Sequence, residues 1–273
     1  MSRSTGRGSR RYLTVIRHLE LDRKGPLTAR SVLASALLGE SPPTLTVRQL
    51  VHVAALFGIN ENRARVALSR MAARGEVSTQ GDGTYSLTGR LLERADRQAA
   101  SRAGRTNPFD GNWHVVIVTT AGDAALVRHD RRERLEAARL GEVRDGVWMR
   151  PANIELQLGD VPALLVLRSV PDADPASLAA SIFDVEGWRR RASTLIEQMD
   201  ATPLEGTSDL AAGFVRDAEV LRHLQHDPLL PEELCGEHWP GPHLRARYEE
   251  FDAAFRVLLA ASHHDAAPGV EAP

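Results

Sequence analysis

The stretch from Asn60 to Gly75 leaves this chain few choices of local structure. It reads Asn-Glu-Asn-Arg-Ala-Arg-Val-Ala-Leu-Ser-Arg-Met-Ala-Ala-Arg-Gly. Asn60 can start a helix, because its side-chain oxygen can accept an orphan N–H of the first turn. Gly75 can end one, since a left-handed residue there turns the chain away. Ala64, Ala67, Leu68 and Met71 recur at three- and four-residue spacing and share one buried stripe. The opposite face carries Asn62, Arg63, Arg65, Ser69 and Arg70, with Glu61 the one acid, in the first turn. Such a helix fits a major groove, where Arg can read guanine and Asn adenine. An ordinary amphipathic surface helix has the same pattern. The neighbours decide.

From Thr28 the pattern is helical, with Ala29, Val32, Leu33, Ala36 and Leu37 on one side, and it stops at Gly39. Ser41-Pro42-Pro43 breaks the chain. Thr46 then caps a second helix, Val47 to Phe57, with Leu50, Val51, Ala54 and Leu56 inward. Gly58-Ile59 makes the tight turn into the Asn60 helix, the helix-turn-helix pattern. Beyond Gly75, the runs Val77 to Gln80 and Thr84 to Leu87 alternate around Gly81-Asp82-Gly83 and predict a β-hairpin. Residues 27–90 thus predict a winged helix-turn-helix. Its candidate DNA contacts are Asn60, Asn62, Arg63, Arg65, Ser69, Arg70 and, beside the wing turn, Thr84. Asn62 and Arg63 lie best for base edges, whereas Arg65 and Arg70 suit bases or phosphates. Residues 1–26, with Arg3, Arg7, Arg10 and Arg11, predict an unfolded basic arm, in which Tyr12 to Ile16 is a short strand-like patch.

The net charge of -2 hides a division. Up to residue 105 there are 18 Lys+Arg against 8 Asp+Glu, a net of +10; beyond it 16 face 28, a net of -12. One polyanion-facing module beside a module with another task accounts for such asymmetry. Residues 91–108 predict a helical linker. From 109 to 183, strands at Trp113 to Thr119, Val143 to Met149 and Ala163 to Val170 alternate with helices at Asp123 to Leu140 and Ser177 to Phe183. That order predicts a small ferredoxin-like domain. Residues 184–263 predict a helical C-terminal domain, with helices near Glu186 to Met199, Asp209 to Leu224 and Pro242 to His263. A proline-rich segment, residues 226–242, interrupts them. The tail, residues 264–273, reads as disordered. The fold class is therefore α+β in three parts. No apolar run reaches the roughly 18 residues that span a bilayer, so no membrane partner is expected. One cysteine, Cys235, suits a reducing cytoplasm.

Three motifs together resemble the PaaX family of transcriptional repressors of phenylacetic acid catabolism. Phe57-Gly58-Ile59-Asn60-Glu61, with Arg65 and Arg70-Met71, is similar to the family's recognition segment. Phe109-Asp110-Gly111-Asn112-Trp113 and Gly146-Val147-Trp148-Met149-Arg150-Pro151 resemble its Cas2-like central domain. Asp227-Pro228-Leu229-Leu230-Pro231-Glu232-Glu233-Leu234, closing on Trp239-Pro240-Gly241, resembles its C-terminal signature. The resemblance implies a homodimer on a palindromic double-stranded DNA operator, released by a phenylacetyl-CoA-like thioester. A regulator of the same architecture without a CoA ligand, or one that activates, is the alternative. The wing departs from the family in having an acid and no arginine over residues 80–84, which implies little phosphate anchorage there. Cys235-Gly236 and His238 also depart, at the end where an effector would act.

For that acyl-CoA effector the candidate residues are Trp148, whose aromatic surface would suit an aryl group, and Arg150, with Arg189 and Arg190 for CoA phosphates. Trp113, Trp188 and Trp239 are expected in cores or interfaces. His223, His226, Cys235 and His238 have a metal-like composition, but their spacing matches no common zinc finger, so no metal and no cofactor is expected. No Gly-x-Ser-x-Gly elbow or phosphate loop is present, and Thr119-Thr120-Ala121 replaces the metal-binding acid of Cas2-type nucleases. No enzyme is expected.

Overall fold

The computed structural model describes residues 28–79 and 81–265, so the basic arm, with its Tyr12 to Ile16 patch, lies outside the described residues, as does the tail from 266 on. The chain forms two compact units. Of the described residues, the first contains those up to Ala99, Leu195–Arg222 and those from Ala246 on; the second contains Ala100–Thr194 and His223–Arg245. These units cut across the chain-order division into N-terminal, middle and helical C-terminal parts. The C-terminal segments are shared between the two units.

In the first unit each helix begins at a residue chosen for capping. Thr28 and Ser31 exchange hydrogen bonds at the start of α1 (Ala29–Leu38), and Thr46 and Gln49 do the same for α2 (Val47–Leu56). Asn60 accepts from Arg63 N–H (2.9 Å) at the start of α3 (Glu61–Ala73). Gly58, at φ +69°, supplies the left-handed corner between α2 and α3 and lets Ile59 turn into the core. Strands β2 (Val77–Thr79) and β3 (Thr84–Leu87) form the expected hairpin. A third strand, β1 (Thr44–Thr46), pairs antiparallel with β3, giving the order β1-β3-β2. Sequence reading placed only a break and a cap there, because a three-residue strand shows no period.

Leu33, Leu37, Leu50, Ala54, Ala64, Leu68 and Met71 are buried together, as the three helical stripes require. Two later helices, α8 (Leu210–Gln225) and α10 (Gly241–Asp265), add Leu210, Phe214 and Phe255 to this same core. Phe57 meets Phe214 edge-on, with ring centroids 5.1 Å apart. Arg256 on α10 binds Glu40 (2.8 Å), Asp252 (2.9 Å) and the carbonyl of Gly39 just after α1. These contacts join the C-terminal helical segments Leu195–Arg222 and Ala246 onward to the core of α1, α2 and α3.

Beside them Asp217 is buried and accepts a hydrogen bond from the Tyr248 hydroxyl (2.8 Å). Burial, and then the neighbouring Asp252, lift its carboxyl from 3.8 to about 7. A carboxyl that holds its proton more tightly in the folded than the unfolded chain stabilises the fold below the unfolded value. That contribution is lost as pH rises through the folded value. On this account the melting temperature should fall between about pH 4 and pH 7. Asp217→Asn, neutral throughout, should flatten the slope; an unchanged slope in a melting series would show that Asp217 is ionised in the fold.

In the second unit the sheet has the order β5-β6-β4-β7 and is antiparallel throughout, the split-βαβ order of a ferredoxin-like sheet. Its strands are β4 (Trp113–Val118), β5 (Gly141–Arg144), β6 (Val147–Pro151) and β7 (Leu164–Ser169). One strand had been expected from Val143 to Met149; there are two, turned at Asp145-Gly146 with Gly146 at φ +75°. The crossover from β6 to β7 is a loop without a helix. On one face Val116 and Trp148 pack with Leu135, Ala138 and Leu140, the first of these on α5 (Ala125–Ala137). On the other, Trp113 packs with Ala179 of α6 (Pro175–Ile182) and with Leu230, Leu234 and Cys235. Strand β7 ends the sheet, and its Leu165, Val166 and Leu167 remain exposed. Helices α4 (Gly89–Ala103) and α7 (Val185–Asp200) and the short α9 (Glu232–Cys235) complete the chain. Among the described residues no helix is long and apolar enough to cross a membrane.

Candidate functional site

The buried stripe of α3 fixes what its other side presents. Ala64, Leu68 and Met71 are at most 1% exposed, so Asn62, Arg63, Arg65, Val66, Ser69, Arg70 and Arg74 point to solvent. Arg63, Arg70 and Arg74 border one side of a groove of about 430 Å³; Thr28, Ala29 and Arg30, at the N-terminus of α1, line the other. Among the described residues none of Arg63, Arg70 and Arg74 has a carboxylate within ion-pair distance. Arg30 differs: it forms a two-pronged pair with Glu76 (2.8 and 2.9 Å), which bonds α1 to the chain just before β2. That hydrogen-bonded guanidinium holds the Glu76 carboxyl below its ordinary range. The groove thus combines free guanidinium groups with the positive end of a helix, a setting suited to phosphate oxygens.

The expected contact residues fall into four groups. Asn62, Arg63, Ser69 and Arg70 stand on the exposed face of α3. Arg65 is exposed too, but its Nε donates to Glu61 on the same helix (2.7 Å), so part of its charge is already answered. Asn60 uses its side-chain oxygen as the cap. Thr84 is half-buried in the ladder opposite Thr46, and its N–H donates to Asp82 (2.8 Å). That bond keeps the Asp82 carboxyl below its usual range, so the described wing tip carries a negative charge and is poorly suited to a phosphate. Gln80 lies outside the described residues. Sequence reading missed Val66, Arg74 and the N-terminus of α1. Helical spacing could have found the first two, since Asn62, Val66, Arg70 and Arg74 follow one another at four residues.

The four expected effector residues do not come together. Trp148 is 4% exposed, in the core under α5, with the Arg132 guanidinium 5.3 Å from its ring centre. Arg150 is fully buried and bound to the carbonyls of Pro151 (3.0 Å) and Arg139 (3.2 Å) and to Asn153 (3.1 Å). Burial lowers its guanidinium to about 9. It is a structural bolt: Leu229 O accepts from both Asn153 and Arg150, while Asp227 accepts from Leu229 N–H (2.8 Å) and from Arg245. This explains the Asp227-Pro228-Leu229-Leu230-Pro231 motif. Arg189 instead lines a separate cleft of about 450 Å³ with Ala176, Phe183, Val185, Leu234 and Cys235. Its guanidinium donates to the carbonyls of Cys235 and Glu237. Arg190 is exposed and only loosely paired with Glu186 (3.9 Å).

His223 stacks on Trp188 (centroids 4.5 Å apart), and Trp188 stacks on Trp239 (4.4 Å). Burial pushes His223 down to about 4 and the Cys235 thiol up to about 12. His223 is therefore neutral and Cys235 an unreactive thiol at neutral pH. Among the described residues no group of three or more His, Cys, Asp or Glu is placed to hold a metal ion. Asp123, the first acid after β4 in the chain, is held by Arg131 (2.6 Å) and Thr120 (2.7 Å).

The first unit is a winged helix-turn-helix that presents the outer side of its second helix to solvent, in one chain with a split-βαβ sheet. Residues 28–91 match the family model described as PaaX-like protein, and residues 106–169 match that of the PaaX protein central Cas2-like domain. A solved structure, the uncharacterized protein Rv0674 from Mycobacterium tuberculosis, is similar at 40% identity. The similarity covers 86% of this chain and 98% of that one, with a TM-score of 0.70. A search of curated proteins finds no match. The chain belongs to the PaaX family and is a PaaX-type transcription regulator.

Proposed function

We propose that this regulator binds double-stranded DNA through α3 and the N-terminus of α1. As a homodimer it occupies a palindromic operator and represses, and an acyl-CoA thioester of the phenylacetyl-CoA kind releases it. The observation that carries the reading is the face of α3: Asn62 and three arginines with no carboxylate at ion-pair distance among the described residues stand exposed opposite a buried stripe. The +10 charge up to residue 105 supports it, since each neutralised phosphate releases counterions. The open apolar edge of β7 supports self-association, because an unprotected edge strand pairs readily with another chain. Action in the cytoplasm follows from the same reading.

For the effector, the cleft beside Arg189 is within the size range of small-molecule sites, with Phe183 and Leu234 to meet an acyl group and Arg190 nearby for phosphates. The ligand must favour the arrangement that does not bind DNA, because equal affinity for both would shift nothing. Fluorescence anisotropy with DNA from upstream of the regulator's own gene should show tight binding that phenylacetyl-CoA reverses. The same ligand at a hundred times its Kd should add about 2.7 kcal/mol of stability. In a thermal shift that is roughly 5 °C. Free coenzyme A should give much less. DNA binding that no acyl-CoA alters would leave the DNA reading standing and remove the effector.

A further inference from the structure

We propose that Val66 reads the 5-methyl group of a thymine. The inference rests on the DNA-binding reading of α3 and names one base within it. Val66 is 42% exposed and belongs neither to the core of its unit nor to the partly buried residues packed on that core. Single exposed apolar residues are common, so exposure alone decides nothing. Position does. Asn62 lies one turn before Val66 and Arg70 one turn after, all three exposed and lining the same groove as the N-terminus of α1. A β-branched side chain does not favour a helix, and among the described residues Val66 is not part of a core cluster that would compensate.

From Asn62 to Arg70 the helix advances about 12 Å, room for about three stacked base pairs. On the floor of the major groove the amide of Asn62 suits an adenine edge, and Arg70 suits a guanine edge or a phosphate. The thymine methyl is the apolar group among the donors and acceptors there. An isopropyl group set between an amide and a guanidinium complements that methyl, and contact removes both from water. Cytosine lacks the methyl, so the contact separates thymine from cytosine at one position of each half-site.

The test begins by selecting binding sites from a random duplex library with the full chain and with Val66→Ala, whose fold circular dichroism should show intact. The parent's consensus should contain a thymine that the Val66→Ala consensus no longer requires. Uracil at that thymine, which removes only the methyl, should weaken the parent about fourfold, the effect of one buried methyl group. Val66→Ala should bind the thymine and uracil duplexes equally. A parent indifferent to uracil at every thymine, or a Val66→Ala variant as sensitive as the parent, would overturn the inference and leave DNA binding by α3 intact. Failure to select any sequence would bring down both.

Discussion

Replacing Arg63 and Arg70 together by alanine is expected to lower operator affinity by about a hundredfold or more. Each arginine that contacts bases is worth about 1–3 kcal/mol, and the two losses need not add because both side chains line one groove. The melting temperature should barely move, since both residues are exposed and, among the described residues, neither has an ion-pair partner. Anisotropy across a salt series separates the roles. If both touch only phosphate, the slope of log K against log salt should flatten by about two and all sequences should weaken alike. If one reads a base, discrimination at one operator position should relax. Arg65→Ala should do much less, because Glu61 already binds its guanidinium. A double variant that binds as the parent does would remove α3 from the interface.

Asp227→Ala should destabilise the second unit by about 3–5 kcal/mol, the cost of stranding buried charge. Asp227 is 2% exposed, and its carboxylate answers Arg245 while capping Leu229 N–H. Arg139 and the fully buried Arg150 lie close enough to feel its charge. Arg139 donates to the backbone carbonyl of Asp227 and to Ser101. Without the carboxylate, neutral oxygens alone would serve three desolvated guanidinium groups. A melting point lower by about 10 °C is the expected reading. Asp227→Asn, which keeps an acceptor for Leu229, should fall between the two. A shift of only a degree or two for Asp227→Ala would mean that water reaches this cluster and the motif has another purpose.

What the sequence disclosed, it disclosed through local chemistry. Asn60, Thr46 and Thr28 mark helix starts because capping needs one side chain and one backbone N–H three residues on. The stripe of α3 was legible for the same reason, and with it the exposed set from Asn62 to Arg70. Partnerships over long separations were not. Strand β1 is defined by pairing with β3, forty residues away, and three residues carry no period. The Asp145-Gly146 turn obeyed the rule applied at Asp82-Gly83, but the short strands beside it read as a single run. Nothing in the spacing of Phe214 and Phe255 says that they belong to the core of α1, α2 and α3. Two of the expected effector residues are placed inside the fold. Trp148 and Arg150 were chosen for chemistry a ligand could use, and the fold uses that chemistry internally, packing the ring under α5 and tying the guanidinium to carbonyls.

The most direct test is hydroxyl-radical footprinting of the full chain on DNA upstream of its own gene, beside the Arg63→Ala, Arg70→Ala variant. The expected result is two protected half-sites about one helical turn, or a multiple of it, apart, related by a two-fold axis. That protection should vanish for the variant at concentrations that saturate the parent. Protection that survives unchanged in the variant would contradict the assignment of α3 as the reading element.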